Sequence, residues 1–129
     1  IIHKLSHREK LRAFKDVLFS PILVNDLAEI LFKLEEKKFA GTIHIASRES
    51  CSKFEFAKSI AKIFNLDRTL IEPISIDQLK LKALRGKNNS LNVDRAEQIL
   101  NMKLPTVEDG LKKMHELKLK DFIWELRNG

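Results

Sequence analysis

Apolar positions recur at helical spacing from Val24 to Lys38. Val24, Leu27, Ala28, Leu31 and Leu34 fall at i, i+3, i+4, i+7 and i+10, which predicts an amphipathic helix with those five residues as its apolar face. Asp26 in the first turn and Lys37 and Lys38 in the last suit the helix dipole, and Gly41 releases the chain. Before this helix, Leu11, Ala13 and Phe14 mark a short strand, and Pro21 biases Ser20 toward an extended conformation. After it, Thr42-Ile43-His44-Ile45-Ala46 is short and rich in β-branched residues, which predicts a strand.

A second helix begins at Ser52-Lys53-Phe54-Glu55, a capping box in which serine and glutamate satisfy each other's backbone N–H groups. Phe54, Ala57, Ile60, Ala61 and Phe64 line its buried face, Asn65 suits a left-handed end, and Leu66 folds back on the last turn. Residues 69–74 predict a third strand, placed at an edge or a strand end by Pro73. A short helix is expected from Ile76 to Lys82, then a polar loop from Leu84 to Leu91. Asn92 caps a helix through Leu100, and Thr106 caps another with Val107, Leu111 and Met114 inward. The stretch 117–129 carries Phe122, Ile123, Trp124 and Leu126, which predicts a tail docked on the body.

The order is β, α, β, α, β and then helices, with no repeat and no linker, and the fold class is α/β. Three short strands make a poor sheet, and the apolar faces want more partners than 129 residues offer. The opening at Ile1 rather than methionine adds to the expectation of a piece of a longer protein.

Composition narrows the chemistry. The net charge of +6 is spread along the chain: residues 1–65 hold twelve basic and eight acidic groups, residues 66–129 twelve and ten. An even spread and sparse aromatics exclude the one-sided basic face of a nucleic-acid module. The single Cys51 excludes an intrachain disulfide and fits a reducing, cytoplasmic compartment. No apolar run reaches the roughly 20 residues of a membrane span. There is no tyrosine, so no tyrosine acid. Gly41, Gly86, Gly110 and Gly129 stand too far apart for a dinucleotide-binding loop.

Five motifs in order then resemble one family. Ser20-Pro21 with Val24-Asn25-Asp26-Leu27-Ala28 is similar to its SPT…V.DLA segment, and Gly41-Thr42-Ile43-His44-Ile45-Ala46 to its G-x-(Y/F)-H-x-(A/S) strand. Ser52-Lys53-Phe54-Glu55-Phe56-Ala57 resembles S-x-(Y/F)-E-(F/M)-A, and Ile71-Glu72-Pro73-Ile74 resembles (L/I)-x-P-I. Arg85-Gly86-Lys87-Asn88-Asn89-Ser90-Leu91 resembles R-P-x-N-(S/A)-x-L, with Gly86 in place of proline and hence a looser loop. The family is the dTDP-4-dehydrorhamnose reductases, extended short-chain dehydrogenases. The resemblance implies the C-terminal half of an NAD(P)-binding Rossmann protein: the last sheet strands plus a small, mostly helical substrate-binding lobe. It divides the chain into a lobe of residues 1–21 and 51–116, a terminal Rossmann helix and strand at 22–50, and a tail at 117–129.

The resemblance further implies a dTDP-linked nucleotide-sugar as ligand, NADPH or NADH in the intact parent, and neither cofactor on this chain alone. The missing N-terminal Rossmann half is the implied partner, with a homodimer a further expectation, and no nucleic acid or membrane. It places no catalytic residue here and assigns substrate binding to Arg85, Lys87, Asn88, Asn89, Ser90, Ser20 and Pro21. Chemically, an arginine gives paired donors to a diphosphate, a lysine a point charge, and asparagine and serine hydrogen bonds to hydroxyls. The plain alternatives are a solvated basic loop for 85–90 and a simple turn at Ser20-Pro21. Lys80, Lys82, Arg85 and Lys87 form either an anion-steering patch or a solvated face. His44 and Cys51 read as structural, and His3 with His7 lacks a third metal ligand. The same motifs also fit the regulatory β subunit of methionine adenosyltransferase, a binding partner rather than an enzyme.

Overall fold

A computed structural model describes residues 1–79 and 85–120. The elements run α1 (Ile2–Ser6), β1 (Leu11–Phe14), β2 (Leu18–Phe19), α2 (Val24–Glu36), β3 (Cys51–Ser52), α3 (Lys53–Ile63), β4 (Ile71–Ile74), β5 (Asn88–Asn89), α4 (Asp94–Leu100) and α5 (Val107–Leu119). Single 3-10 turns stand at Arg68–Leu70 and Ile76–Gln78. The α/β class holds, in the form of helices around two small sheets.

β1 and β4 pair in parallel, Leu11 opposite Ile71 and Phe14 opposite Ile74. Pro73 fits there because a two-stranded sheet is all edge, and a missing N–H costs nothing on an outer side. α3 lies on this sheet. Its Ser52–Glu55 capping box is formed in both directions, and Ala57 and Ala61 are fully covered. Such small side chains let the helix backbone come close to Ala13 and Ile71, while Leu5 of α1 closes the end of this core. Asn65 takes the left-handed conformation, and the Leu66 N–H donates to the Ala61 carbonyl at 2.8 Å. The helix α1 was not predicted: five residues without a side-chain cap carry little local signal.

A second core joins α2 and α4 through Ile30, Leu34, Val93, Ala96, Leu100 and Leu104, with Ile43, Ile45 and Ala46 packed in. Here two expectations need correction. The face of α2 turned to the core carries Asp26, Ile30 and Leu34. Val24 is 70% exposed and Leu31 52%, with Phe32 beside them at 69%. Residues 42–46 form no strand, because no other strand among the described residues runs beside them. α5 is tied across to α2 by Lys113, whose ammonium donates to Asp26 at 2.6 Å and Glu29 at 2.8 Å.

Three smaller differences follow from local competition. Of the helix expected from Ile76, the described part is a single 3-10 turn; Lys80 and Lys82 lie outside the described residues. The loop 84–91 contains β5. α4 begins one residue later than expected, with Asn92 accepting the Asp94 N–H at 2.9 Å although Val93 is the cap position. Thr106 does cap α5, paired with Asp109. Phe122, Ile123, Trp124 and Leu126 fall outside the described residues.

Candidate functional site

The stretch 85–91 is laid against β2. The Leu18 N–H donates to the Lys87 carbonyl at 2.8 Å, and Leu18 and Phe19 then run parallel to Asn88 and Asn89. On its other side β2 pairs antiparallel with β3, Phe19 opposite Cys51. The Ser20 hydroxyl closes the far end by accepting the Leu91 N–H at 3.4 Å. Two of the predicted regions, Ser20 and residues 85–90, are therefore neighbours although some 65 positions separate them. Pro21 instead lines an apolar cavity of about 130 Å³ with Phe56, Leu111 and Met114.

Within the stretch, polar side chains first shape their own backbone. Asn88 Oδ1 accepts the Ser90 N–H at 3.1 Å and the Ser90 hydroxyl at 2.6 Å. The Asn89 amide donates to the Gly86 carbonyl at 2.9 Å, and a Cβ on Gly86 would stand 3.0 Å from Asn89 Oδ1. Arg85 is exposed and enters no ion pair among the described residues. The Lys87 ammonium is engaged: 2.5 Å from Asp77 and 4.0 Å from Asp16. That pairing, through Asp77 first, raises its pKa. Asp16 is held below the usual carboxylate range by the Ser75 hydroxyl at 2.6 Å and the Ile76 N–H at 2.9 Å.

A cavity of about 260 Å³ opens between β1, β2 and α3, lined among others by Arg12, Phe14, Phe19, Lys53 and Phe56; of these, Phe19 lies opposite Asn89 of β5. The Phe19 and Phe56 rings meet edge to face at 5.3 Å. The Lys53 ammonium lies 3.2 Å from the Phe19 ring centre, a cation–π contact. None of these five was singled out from the sequence as a binding residue. The available signal was Phe19 directly preceding Ser20 in the chain; Phe56 and Lys53 looked like ordinary helix positions.

The remaining candidates stand apart. Burial and then Glu55 push the Cys51 thiol pKa up, away from a reactive thiolate. His7 Nδ1 lies 2.8 Å from the His3 carbonyl, so that nitrogen is occupied by the backbone. His44 is exposed. Among the described residues no group of three His, Cys, Asp or Glu side chains could hold a metal ion, and no helix is long and apolar enough to cross a membrane.

Against this geometry stand four likenesses. The pattern of the RmlD substrate binding domain matches residues 1–119. A probable low-salt glycan biosynthesis reductase, Agl14 of Haloferax volcanii, is 30% identical over 98 residues, 76% of this chain and 33% of that protein. Methionine adenosyltransferase 2 subunit beta of Rattus norvegicus is 30% identical over 109 residues, 81% of this chain and 30% of that protein. Among solved structures, the dTDP-4-dehydrorhamnose reductase of Bacillus anthracis, in complex with NADP, superposes with a TM-score of 0.77 at 29% identity, over 87% of this chain and 40% of that one. The chain thus spans about a third of the length of the curated relatives it matches.

Proposed function

This chain belongs to the RmlD substrate-binding domain family, and from that premise we propose that it is the nucleotide-sugar-binding part of a dTDP-4-dehydrorhamnose reductase-like oxidoreductase of deoxysugar synthesis. The observation that carries the reading is the docking of residues 85–91 on β2, whose Phe19 lies opposite Asn89 and also lines the cavity of Phe14 and Phe56. In this proposal Arg85 takes the diphosphate, with Lys87 in the same stretch. Asn88, Asn89 and Ser90 meet sugar hydroxyls, and Ser20 forms the foot of the site. The aromatic walls suit a planar base, and Arg12 and Lys53 add positive charge near the anion.

The chain's contribution is binding and orientation. Its glycines offer no phosphate cradle and it has no tyrosine, so a nicotinamide cofactor does not fit the residues present and no step is assigned to one here. NADPH or NADH and the proton donor belong, in this proposal, to a Rossmann half supplied by the rest of the enzyme. By itself the chain would reduce nothing. Its compartment in this reading is the cytoplasm.

Isothermal titration of the 129-residue chain with dTDP and, separately, NADPH tests this. Binding of dTDP but not NADPH, weakened at least tenfold by Arg85→Ala, is the expected outcome. Failure to bind dTDP would refute it. The likeness to methionine adenosyltransferase 2 subunit beta favours a second reading, a non-catalytic regulatory subunit. Pull-down of a methionine adenosyltransferase catalytic subunit, without dTDP binding, would decide for that.

A further inference from the structure

Three separate constraints converge on Lys87. Its carbonyl accepts the Leu18 N–H at 2.8 Å, where the pairing of β2 with β5 starts. Its ammonium reaches Asp77, ten positions earlier, at 2.5 Å. It also faces Asp16 at 4.0 Å. Asp16 is itself fixed, because Ser75 Oγ and the Ile76 N–H both donate to it. Ser75 and Gln78 form a capping box around the same turn. The Asp77–Lys87 pair therefore closes a ring of chain, and Arg85 stands inside that ring, two residues from the closure. Two residues of extended chain reach at most about 7 Å. An ammonium already facing two carboxylates has little charge to offer a third anion, whereas Arg85 enters no ion pair among the described residues.

Resting on the proposed nucleotide reading, we infer that Lys87 is a positioning residue and not a ligand: clasped by Asp77 and Asp16, it holds the backbone stem of Arg85 against β2 and so presents that guanidinium to a diphosphate. Fixing the stem in advance removes part of the ordering cost that binding would otherwise meet. As a surface ion pair, with Lys87 and Asp77 both more than half exposed, the clasp adds little to global stability. Its effect belongs to affinity.

The test is titration of the full chain with dTDP across a set of variants. Asp77→Asn and Lys87→Met should each weaken binding about two- to fivefold, the most that an exposed ion pair can transmit, with the melting temperature unchanged. Lys87→Arg should keep the affinity. Because the clasp acts through Arg85, Asp77→Asn should add nothing once Arg85→Ala is in place. The inference is overturned if Asp77→Asn binds as tightly as the parent or tighter while Lys87→Met is weaker, since the ammonium then touches the ligand itself. It is equally overturned if the Asp77 and Arg85 effects simply add. Absence of dTDP binding by the unmodified chain would sink the nucleotide reading instead. Hydrogen exchange then reads the clasp directly: Asp77→Asn and Lys87→Met must speed exchange of the Leu18 amide and Lys87→Arg must not, and unchanged exchange removes the clasp.

Discussion

Glu97 is an acidic side chain only 9% exposed, and its neighbours explain why it is tolerated. One carboxylate oxygen takes the Lys103 ammonium at 2.5 Å, the other the Leu104 N–H at 3.0 Å. These bonds, the lysine's first, hold its pKa below the usual glutamate value, against a smaller opposing effect of burial. A carboxyl whose pKa is lower folded than unfolded stabilises the fold fully above the unfolded pKa and loses that contribution as pH falls through the folded one. Thermal melts should therefore fall as pH drops below about 4.3, the unperturbed glutamate value, and Glu97→Gln should flatten that dependence while lowering stability near neutrality. An unchanged acid limb in Glu97→Gln would show that the carboxylate is not what matters. Residue-scale features of this kind split cleanly by range. The box at Ser52–Glu55 and the cap at Thr106 were legible because the groups involved lie within three positions of each other. The Glu97 pair was not, because Lys103 comes round only after the left-handed turn at Asn101.

Helix α3 shows what an apolar period can and cannot determine. Of its five predicted inner positions, Ala57, Ile60 and Ala61 are buried and Phe54 and Phe64 half-buried, since the β1–β4 sheet covers one face of it. With Ala61 wholly covered, Ala61→Leu should overpack that contact and cost about 1–3 kcal/mol, measured by chemical denaturation; a neutral result would mean that helix and sheet can separate freely. For α2 the same kind of pattern misled. The helix itself lies where expected, yet its core contacts are Ile30 and Leu34, and part of the apolar stripe faces out. A helix with apolar residues on two sides cannot declare from sequence which side its neighbours will take. The run 42–46 failed for a related reason: β propensity marks a segment fit for a sheet, but a strand exists only where a second one pairs with it.

For the molecule as a whole, the exposed stripe of Val24, Leu31 and Phe32 makes a direct statement about stability. A side chain 69% exposed contributes little to the fold of this chain, so Phe32→Lys should change the unfolding free energy by no more than about 0.5 kcal/mol. A larger loss, read by denaturant titration, would show the stripe to be covered in solution. The proposed site obeys a global logic too. Ser20 and Asn88 lie on different stretches of chain and meet only because β5 pairs with β2.

Sequence alone determined the α/β class, the positions of α2, α3 and α5, the caps of α3 and α5, the short strands β1 and β4, and the family. All of these rest on contacts within a few residues or on motif order. Only the tertiary structure decided which face of α2 is buried, that 42–46 meets no strand among the described residues, that Phe19 is shared between the pairing with Asn89 and the cavity of Phe56 and Lys53, and that Lys87 is held by Asp77 and Asp16. Each of these depends on which distant segments share a surface, and local pattern carries no information about that choice.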